Sequence, residues 1–419
     1  MTIENELLNR LLDKYERSGH CLPGRVSNRR ISVSLNEAEF PYYQQNRRDR
    51  VEEVNAAVSR MKSEALVDFR YQKGYEGWLI EKVFLNLDKV PEAYQAVGRK
   101  PISQKAGELL DVLENACKKS GRGWVRMFIQ EEKERLRQTY KASRMLPDDP
   151  ALARNLFTVL QASEKGSQLM RVLSVQCFHD SKYLERNLIS FLLSIARHYE
   201  PDIVAYSRQG DEKLTDNEVL TQIGILRYPE IFEFCGNINL TVMGIPVSAA
   251  PFLHGFCLQS ETLADMRDMD LGEIRRVYFV ENRTNYRALV LRGVPKNVLL
   301  VHHGGFYSPA HAVLFQKIVK AAEKGTEFYF WGDLDFGGFQ MLERLRRNIV
   351  PHLRPYRMDS AQLYHYRKSG QRRSAEYLQK LKQFKAGTDN PDIQGGMEAI
   401  LETGVTVEQE SMLDADIVL

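Results

Sequence analysis

The most constraining stretch of the chain begins near residue 272, where short apolar runs alternate with segments of helical periodicity. Val277-Tyr278-Phe279-Val280 ends in Glu281-Asn282. Val298-Leu299-Leu300-Val301 ends in His302-His303-Gly304-Gly305, and Phe328-Tyr329-Phe330-Trp331-Gly332 ends in Asp333-Leu334-Asp335. Residues 309–322 and 339–347 read as helices that follow the second and third runs. Strands this short and uniformly apolar, alternating with helices, predict a parallel sheet covered by helices. In such sheets the chemistry gathers at the carboxyl ends of the strands, and two of these ends carry acids.

Glu281 closes one strand, and Asp333 and Asp335 leave another. Two acids at i and i+2 can project to one side of a sheet edge. A third acid from a neighbouring strand completes an all-oxygen group suited to Mg²⁺ or Mn²⁺. Such ions activate a water and stabilise the leaving oxygen in phosphodiester cleavage. Without a cation, carboxylates packed together repel one another. Gly332, Gly337 and Gly338 fit the tight backbone of such a site. The plainer reading has Asp335 capping the next helix and Asp333 and Glu281 as ordinary loop acids. His302 and His303, at another strand end, are candidates for phosphate binding or for packing alone.

The 419 residues carry 58 Lys/Arg against 55 Asp/Glu, a net charge of +3, which excludes a histone-like protein. The total conceals a split. Residues 343–385 hold 12 Lys/Arg and 3 Asp/Glu, whereas residues 386–419 hold 8 Asp/Glu and no Lys/Arg. In the basic part Arg344, Arg346, Arg347, Arg354, Arg357, Arg367, Lys368, Arg372 and Arg373 interleave with Tyr356, Tyr364 and Tyr366. Next to a carboxylate site, Arg344, Arg346, Arg347, Arg372 and Arg373 read as contacts to DNA phosphates, which give affinity rather than sequence choice. No apolar run reaches about 18 residues, so no membrane span is expected. The acidic start lacks the charged and apolar regions of a secretory signal. Five scattered cysteines without a CxxC pair fit a reducing cytoplasm. Cys235, His254 and Cys257 lack the paired spacing of a zinc site. No GxxxxGK[ST] is present, so any energy-driven step needs a partner.

Near the start, Leu7, Leu8, Leu11, Leu12 and Tyr15 predict a helix over 4–17, and Val51, Val54, Val58, Met61 and Leu66 predict a second. Val67, Phe69 and Tyr71 alternate as a strand. Gly74 and Gly77 mark a turn, and residues 78–87 read as a second strand. This is the pattern of a winged helix, shared with other small α+β modules. In a winged helix Arg47, Arg48, Arg50, Arg60, Lys62, Arg70 and Lys73 would face phosphates. Residues 102–200 read as largely helical, with Leu184, Leu188, Phe191, Leu192 and Ile195 on one face of 181–200. Residues 236–258 are β-like. The expected fold is α+β / α/β, with an N-terminal winged-helix (CAP-like) and helical region before a C-terminal domain with a parallel sheet flanked by helices. The expected divisions are a winged-helix-like region at 1–95, a helical arm at 96–165, a connecting helical and β region at 166–262, and a catalytic domain at 263–419.

Glu281-Asn282-Arg283-Thr284, followed by Trp331-Gly332-Asp333-Leu334-Asp335-Phe336-Gly337-Gly338-Phe339, resembles the Toprim motif pair of the JetD family, the nuclease subunits of Wadjet defence systems. Phe178-His179-Asp180-Ser181-Lys182, Gly304-Gly305-Phe306, Met358-Asp359 and Glu408-Gln409-Glu410 extend the likeness over residues 165–410. The resemblance implies a fold related to the topoisomerase VI A subunit, with a CAP-like winged helix, a Toprim domain and a homodimer. It implies Mg²⁺- or Mn²⁺-dependent cleavage of double-stranded, closed circular plasmid DNA by metal-activated water. The implied partners are an SMC-like ATPase, a kleisin and accessory subunits, in the cytoplasm. It makes Glu281 a metal ligand and possible acid or base, and Asp333 and Asp335 metal ligands. Lys182 is taken as a DNA contact, and Asp180 and Asp359 receive no role. Two other readings stay open. One is a non-catalytic winged-helix DNA-binding subunit; the other is a topoisomerase-like enzyme in which Tyr42 or Tyr43 attacks the phosphodiester.

Overall fold

The computed structural model describes residues 2–22, 28–36, 39–40, 43, 47–209, 213–414, 417 and 419. Two compact units result, residues 1–158 and 159–419. In the first, the side chain of Thr2 caps the helix Ile3–Glu16, which buries Leu7, Leu8, Leu11 and Leu12. The helix Arg48–Ser63 buries Val51, Val54, Val58 and Met61 into the same core. Three antiparallel strands, β1 (Ser32–Ser34), β2 (Val67–Tyr71) and β3 (Ile80–Leu85), form a sheet of order β1-β3-β2. The β2–β3 turn holds Gly74 and Gly77 at φ of +83° and +82°, where a side chain would be strained. The helices Ile102–Lys119 and Gly123–Thr139 follow.

Tyr43 is 5% exposed in this core. Its hydroxyl donates to Asn55 Oδ1 at 2.8 Å and accepts from the Ile80 N–H at 2.6 Å. A tyrosine held this way is a structural member of the core, its proton and lone pair both committed. Tyr42 lies outside the described residues. Most of the cations expected to face phosphates are paired: Arg48 with Glu52, Arg50 with Glu53, Arg60 with Glu4, Lys62 with Asp68 and Arg70 with Glu81.

The second unit opens with helices up to residue 222 and a short parallel pair, β4 (Gln168–Leu169) and β5 (Ile225–Leu226). Its main sheet uses β6 (Ile231–Cys235), β9 (Phe256–Gln259), β11 (Arg276–Val280), β12 (Val298–His302), β13 (Glu327–Trp331) and β14 (Leu353–Pro355). Between β6 and β11, β7 (Asn239–Val242), β8 (Ile245–Ser248) and β10 (Met266–Asp270) make a separate small sheet. The main sheet has the order β14-β13-β11-β12-β6-β9. Its first four strands are parallel, as the strand–helix alternation predicts, but β6 and β9 run antiparallel at one edge. The three strands named from sequence are thus parallel neighbours, and the sheet they belong to is a mixed one. The chain between β6 and β9 is a hairpin excursion rather than a crossover helix, and a crossover is what a parallel return requires. Val277, Phe279, Leu299, Leu300 and Phe330 are fully buried because helices cover the parallel strands. No helix among the described residues is long and apolar enough to cross a membrane.

Candidate functional site

β11 pairs directly with both β12 and β13, and Val280 lies opposite His302 and Trp331. The carboxyl ends of these strands are therefore level, which brings Glu281 beside Gly332 and Asp333. The Asp333 main-chain N–H donates to Glu281 Oε2 at 3.3 Å. A β-carbon at Gly332 would collide with that oxygen and with the Phe330 ring. A β-carbon at Gly338 would collide with the Asp333 carbonyl. These two glycines let the loop after β13 close down on the acids.

Asp335 is the N-cap of the helix Phe336–Asn348, and its Oδ1 accepts from the Gly338 N–H at 2.8 Å. The plainer sequence reading of Asp335 as a cap thus holds geometrically. Its Oδ2 faces Arg373 at 3.8 Å. Burial raises the Asp335 carboxyl above the usual carboxylate range, opposed by the Gly338 bond and the Arg373 charge. Asp333 is pushed up to about 7, chiefly by burial and then by the charge of Asp335, with Glu410 and Glu408 adding to it. Five acids, Glu281, Asp333, Asp335, Glu408 and Glu410, thus surround one strand end, with Arg373 at its side.

The C-terminal segment holds this cluster together. Leu334 and Val407 exchange two main-chain hydrogen bonds of 2.9 and 3.1 Å. The Gln409 N–H donates to Asp333 Oδ1 at 2.6 Å, and its side chain donates to the Trp331 carbonyl at 3.0 Å. Gln409 Oε1 accepts from the Asn282 N–H at 2.9 Å, and its carbonyl accepts from Asn285 at 2.8 Å. Asn282 in turn donates to Glu410 at 2.6 Å. The two short strands β15 (Gln371–Arg372) and β16 (Val405–Thr406) bring Arg373 to the same edge, where its Nε donates to Thr406 at 2.7 Å. Residues 408–410 stand out in the sequence as a family-like piece that could bring a further acid near the site, but nothing local in the sequence connects Gln409 to a strand end 78 residues earlier.

Among the described residues, no three or more His, Cys, Asp or Glu side chains already form a group that could hold a metal ion. Magnesium tolerates such an arrangement: it keeps several waters and binds through one or two carboxylates plus substrate phosphates rather than in an all-protein cage. The donors here are all oxygen, and burial with mutual repulsion disfavours the ionised forms of Asp333 and Asp335, a cost that a bound cation would relieve. On donor chemistry Glu281, Asp333 and Asp335 fit a hard divalent ion.

His303 is fully buried and packs against Phe315 and Phe330. Its Nδ1 meets the Gly304 carbonyl at 2.6 Å. Burial lowers its pKa to about 3, and that of His302 to about 4. Both are neutral packing residues at this strand end. Asp180 accepts from the Lys182 N–H at 2.8 Å and pairs with Arg186, while Lys182 is exposed. Asp359 caps the helix Ser360–Tyr366. Cys235 is buried and Cys257 exposed.

The proposed DNA-facing cations separate into two kinds. Arg47, Arg48 and Arg372 are exposed. Arg344 is only 13% exposed, pairs with Asp202 at 3.1 Å and lies 3.8 Å from the centres of the Phe306 and Tyr307 rings. Arg346 is bonded to Glu343 and Asp389, and Arg347 to Glu343. The basic and acidic segments thus partly neutralise each other: Arg346 meets Asp389, Arg357 meets Asp414, and Lys385 meets Glu398. Glu343, 3% exposed, also accepts from Thr388 at 3.1 Å and Asn390 at 2.8 Å. Burial raises its pKa, but the bonds from Arg346 and Asn390 outweigh this and hold it below the ordinary value. Its stabilising contribution is present above about pH 4.5 and is lost as pH falls through the lowered pKa. Glu343→Ala should cost about 3–5 kcal/mol by leaving buried donors unpaired, measured as a lower urea midpoint at pH 7.

Residues 239–417 match the family of Wadjet protein JetD C-terminal regions. Wadjet protein JetD of Bacillus cereus (strain Q1) is 28% identical over 388 residues, which cover 91% of this chain and 91% of that protein.

Proposed function

Through residues 239–417 the chain belongs to the JetD family of Wadjet proteins, and on that footing we propose that it is the DNA endonuclease subunit of a Wadjet defence complex. The substrate is double-stranded, closed circular plasmid DNA. The chain acts as a homodimer with an SMC-like ATPase, a kleisin and accessory subunits, its second unit containing a Toprim domain and its first a winged helix. The observation that carries this reading is the meeting of Glu281 and Asp333 at level ends of adjacent parallel strands, with the buried cap residue Asp335 near enough that its charge, after burial, helps lift Asp333 to about 7.

Glu281, Asp333 and Asp335 would hold Mg²⁺ or Mn²⁺. A bound ion supplies an activated water and neutralises charge on a phosphate. The chain's own residues arrange the rest. Gly332 and Gly338 leave room for the acids to approach the backbone, and the Gly338 N–H fixes one oxygen of Asp335. Arg373 adds a positive charge beside Asp335 at the edge where a phosphate would enter. Exposed cations such as Arg372 attract the DNA backbone without reading its sequence. The hydroxyl of Tyr43 is buried and engaged on both sides, which favours hydrolysis over attack by that tyrosine.

The test incubates supercoiled plasmid with the purified chain, with and without the products of neighbouring genes and ATP, in Mg²⁺, Mn²⁺ or EDTA. Conversion to nicked or linear DNA is expected only with a divalent ion. Cutting that persists undiminished in EDTA, or a complete assembly that binds plasmid and never cuts it, would sink the proposal in favour of a DNA-binding subunit.

A further inference from the structure

We infer that Gln409 is a positioning residue for the ion-binding acids, acting as a clasp that locks the ends of two strands to the C-terminal segment. The inference rests on the reading of Glu281, Asp333 and Asp335 as an ion-binding group. Three features single out Gln409 from an ordinary buried amide. It is completely buried, so each of its polar atoms must find its partner within the protein. All four of its donors and acceptors that the geometry places are used on functional ground: Asp333 Oδ1, the Trp331 carbonyl, the Asn282 N–H and Asn285. Those partners belong to the loop after β11, the end of β13 and the helix Arg283–Arg292, so one residue spans both acidic motifs.

The consequence is chemical as well as mechanical. Carboxylates crowded at a strand end repel one another, and without a constraint they would swing apart. The Gln409 N–H donates to one oxygen of Asp333 at 2.6 Å and so holds that carboxylate in place. The side-chain amide reads a carbonyl on one strand and an N–H beyond the other, a pairing only a group with both a donor and an acceptor can make. That fixes the separation of the Glu281 and Asp333 backbones and so the geometry offered to an ion. Small errors in such geometry are costly, because sites are held to within a fraction of an ångström by the residues behind them.

The experiment uses the full chain and Mn²⁺ alone as probe, with the thermal midpoint followed over a Mn²⁺ titration. Gln409→Ala removes the side-chain bonds. Gln409→Met removes them while keeping the volume and the main-chain N–H, and it carries the test if the alanine variant does not fold. Leu192→Ala, a buried position on the helix Ile189–Tyr199, serves as a destabilised control. Half-saturation by Mn²⁺ is expected to rise about tenfold or more in Gln409→Met and to stay within about twofold in Leu192→Ala. A residue that merely stabilises the fold would lower the midpoint without Mn²⁺ and leave half-saturation unchanged. That result in Gln409→Met, with the wild type responding to Mn²⁺, overturns the inference alone. A wild type that shows no Mn²⁺ response overturns the ion-binding reading, and the inference with it.

Discussion

Replacing Glu281 with glutamine should reduce plasmid cutting by the assembled system at least about 10²-fold, the scale on which a single preorganised electrostatic group contributes to catalysis. Glutamine keeps the size of the side chain and its acceptor toward the Asp333 N–H, now 3.3 Å from Oε2. What it removes is one negative charge at the junction of β11 and β13. If that carboxylate helps hold an ion, the loss falls on chemistry, while DNA binding by exposed cations stays within about twofold. Gly332→Ala provides an independent approach to the same point. Its β-carbon would drive into Glu281 Oε2 and the Phe330 ring. The flexible carboxylate gives way more easily than a ring that is fully buried. The alanine variant should therefore lose cutting comparably, although no charge has been removed. Gel-resolved cleavage rates and filter-binding affinities, measured together, check both variants. Cutting at the wild-type rate by Glu281→Gln would remove this residue from the site.

How far the sequence revealed this arrangement depended on whether the signal was local. Runs such as Val277–Val280 are buried on both faces, so their composition alone marked them as strands. The register that levels Val280 with Trp331 was implicit in equal runs, each terminating in acids. The helix Ile3–Glu16 and the strand Val67–Tyr71 were equally visible, from periods of 3.6 and 2. The antiparallel edge was not, because the partners Phe232 and Leu258 follow from the path of the intervening hairpin, which no residue in either strand specifies. The basic stretch shows the same limit from the other side. Twelve cations in a row of 43 residues suggested an outward-facing surface. Arg344 instead packs on two rings and Asp202, and Arg346 on Glu343 and Asp389. Charge counted along the chain records neither direction nor partner. At Arg346–Asp389, Arg357–Asp414 and Lys385–Glu398 the opposite charges of the two segments act as each other's counterions.

Asp333→Asn should make the metal-free protein more stable at alkaline pH and, if Asp333 is an ion ligand as proposed, should also remove any response to divalent ions. The sign follows from the direction of the shift. In the folded chain the Asp333 carboxyl is raised from 3.8 to about 7, first by burial and then by Asp335. Below pH 3.8 it is protonated folded or unfolded and contributes nothing. As pH rises from there, the unfolded chain releases the proton while the folded chain retains it, so stability falls through this window and the full cost is reached above about pH 7. At about 1.4 kcal/mol for each unit of difference, the cost is on the order of 2–4 kcal/mol once partial exposure is allowed for. Asparagine cannot ionise, yet its carbonyl can still accept from the Gln409 N–H, so the clasp survives the substitution. In EDTA at pH 8 the variant should melt roughly 5 °C above wild type, with the difference shrinking toward pH 4. Millimolar Mn²⁺ should raise the wild type and leave the variant unmoved, because an ion that binds only the folded state stabilises in proportion to its affinity. A variant that melts below wild type in EDTA at pH 8 would mean that Asp333 is a net stabiliser of the fold, and that the crowding of acids at this strand end needs no cation to balance it.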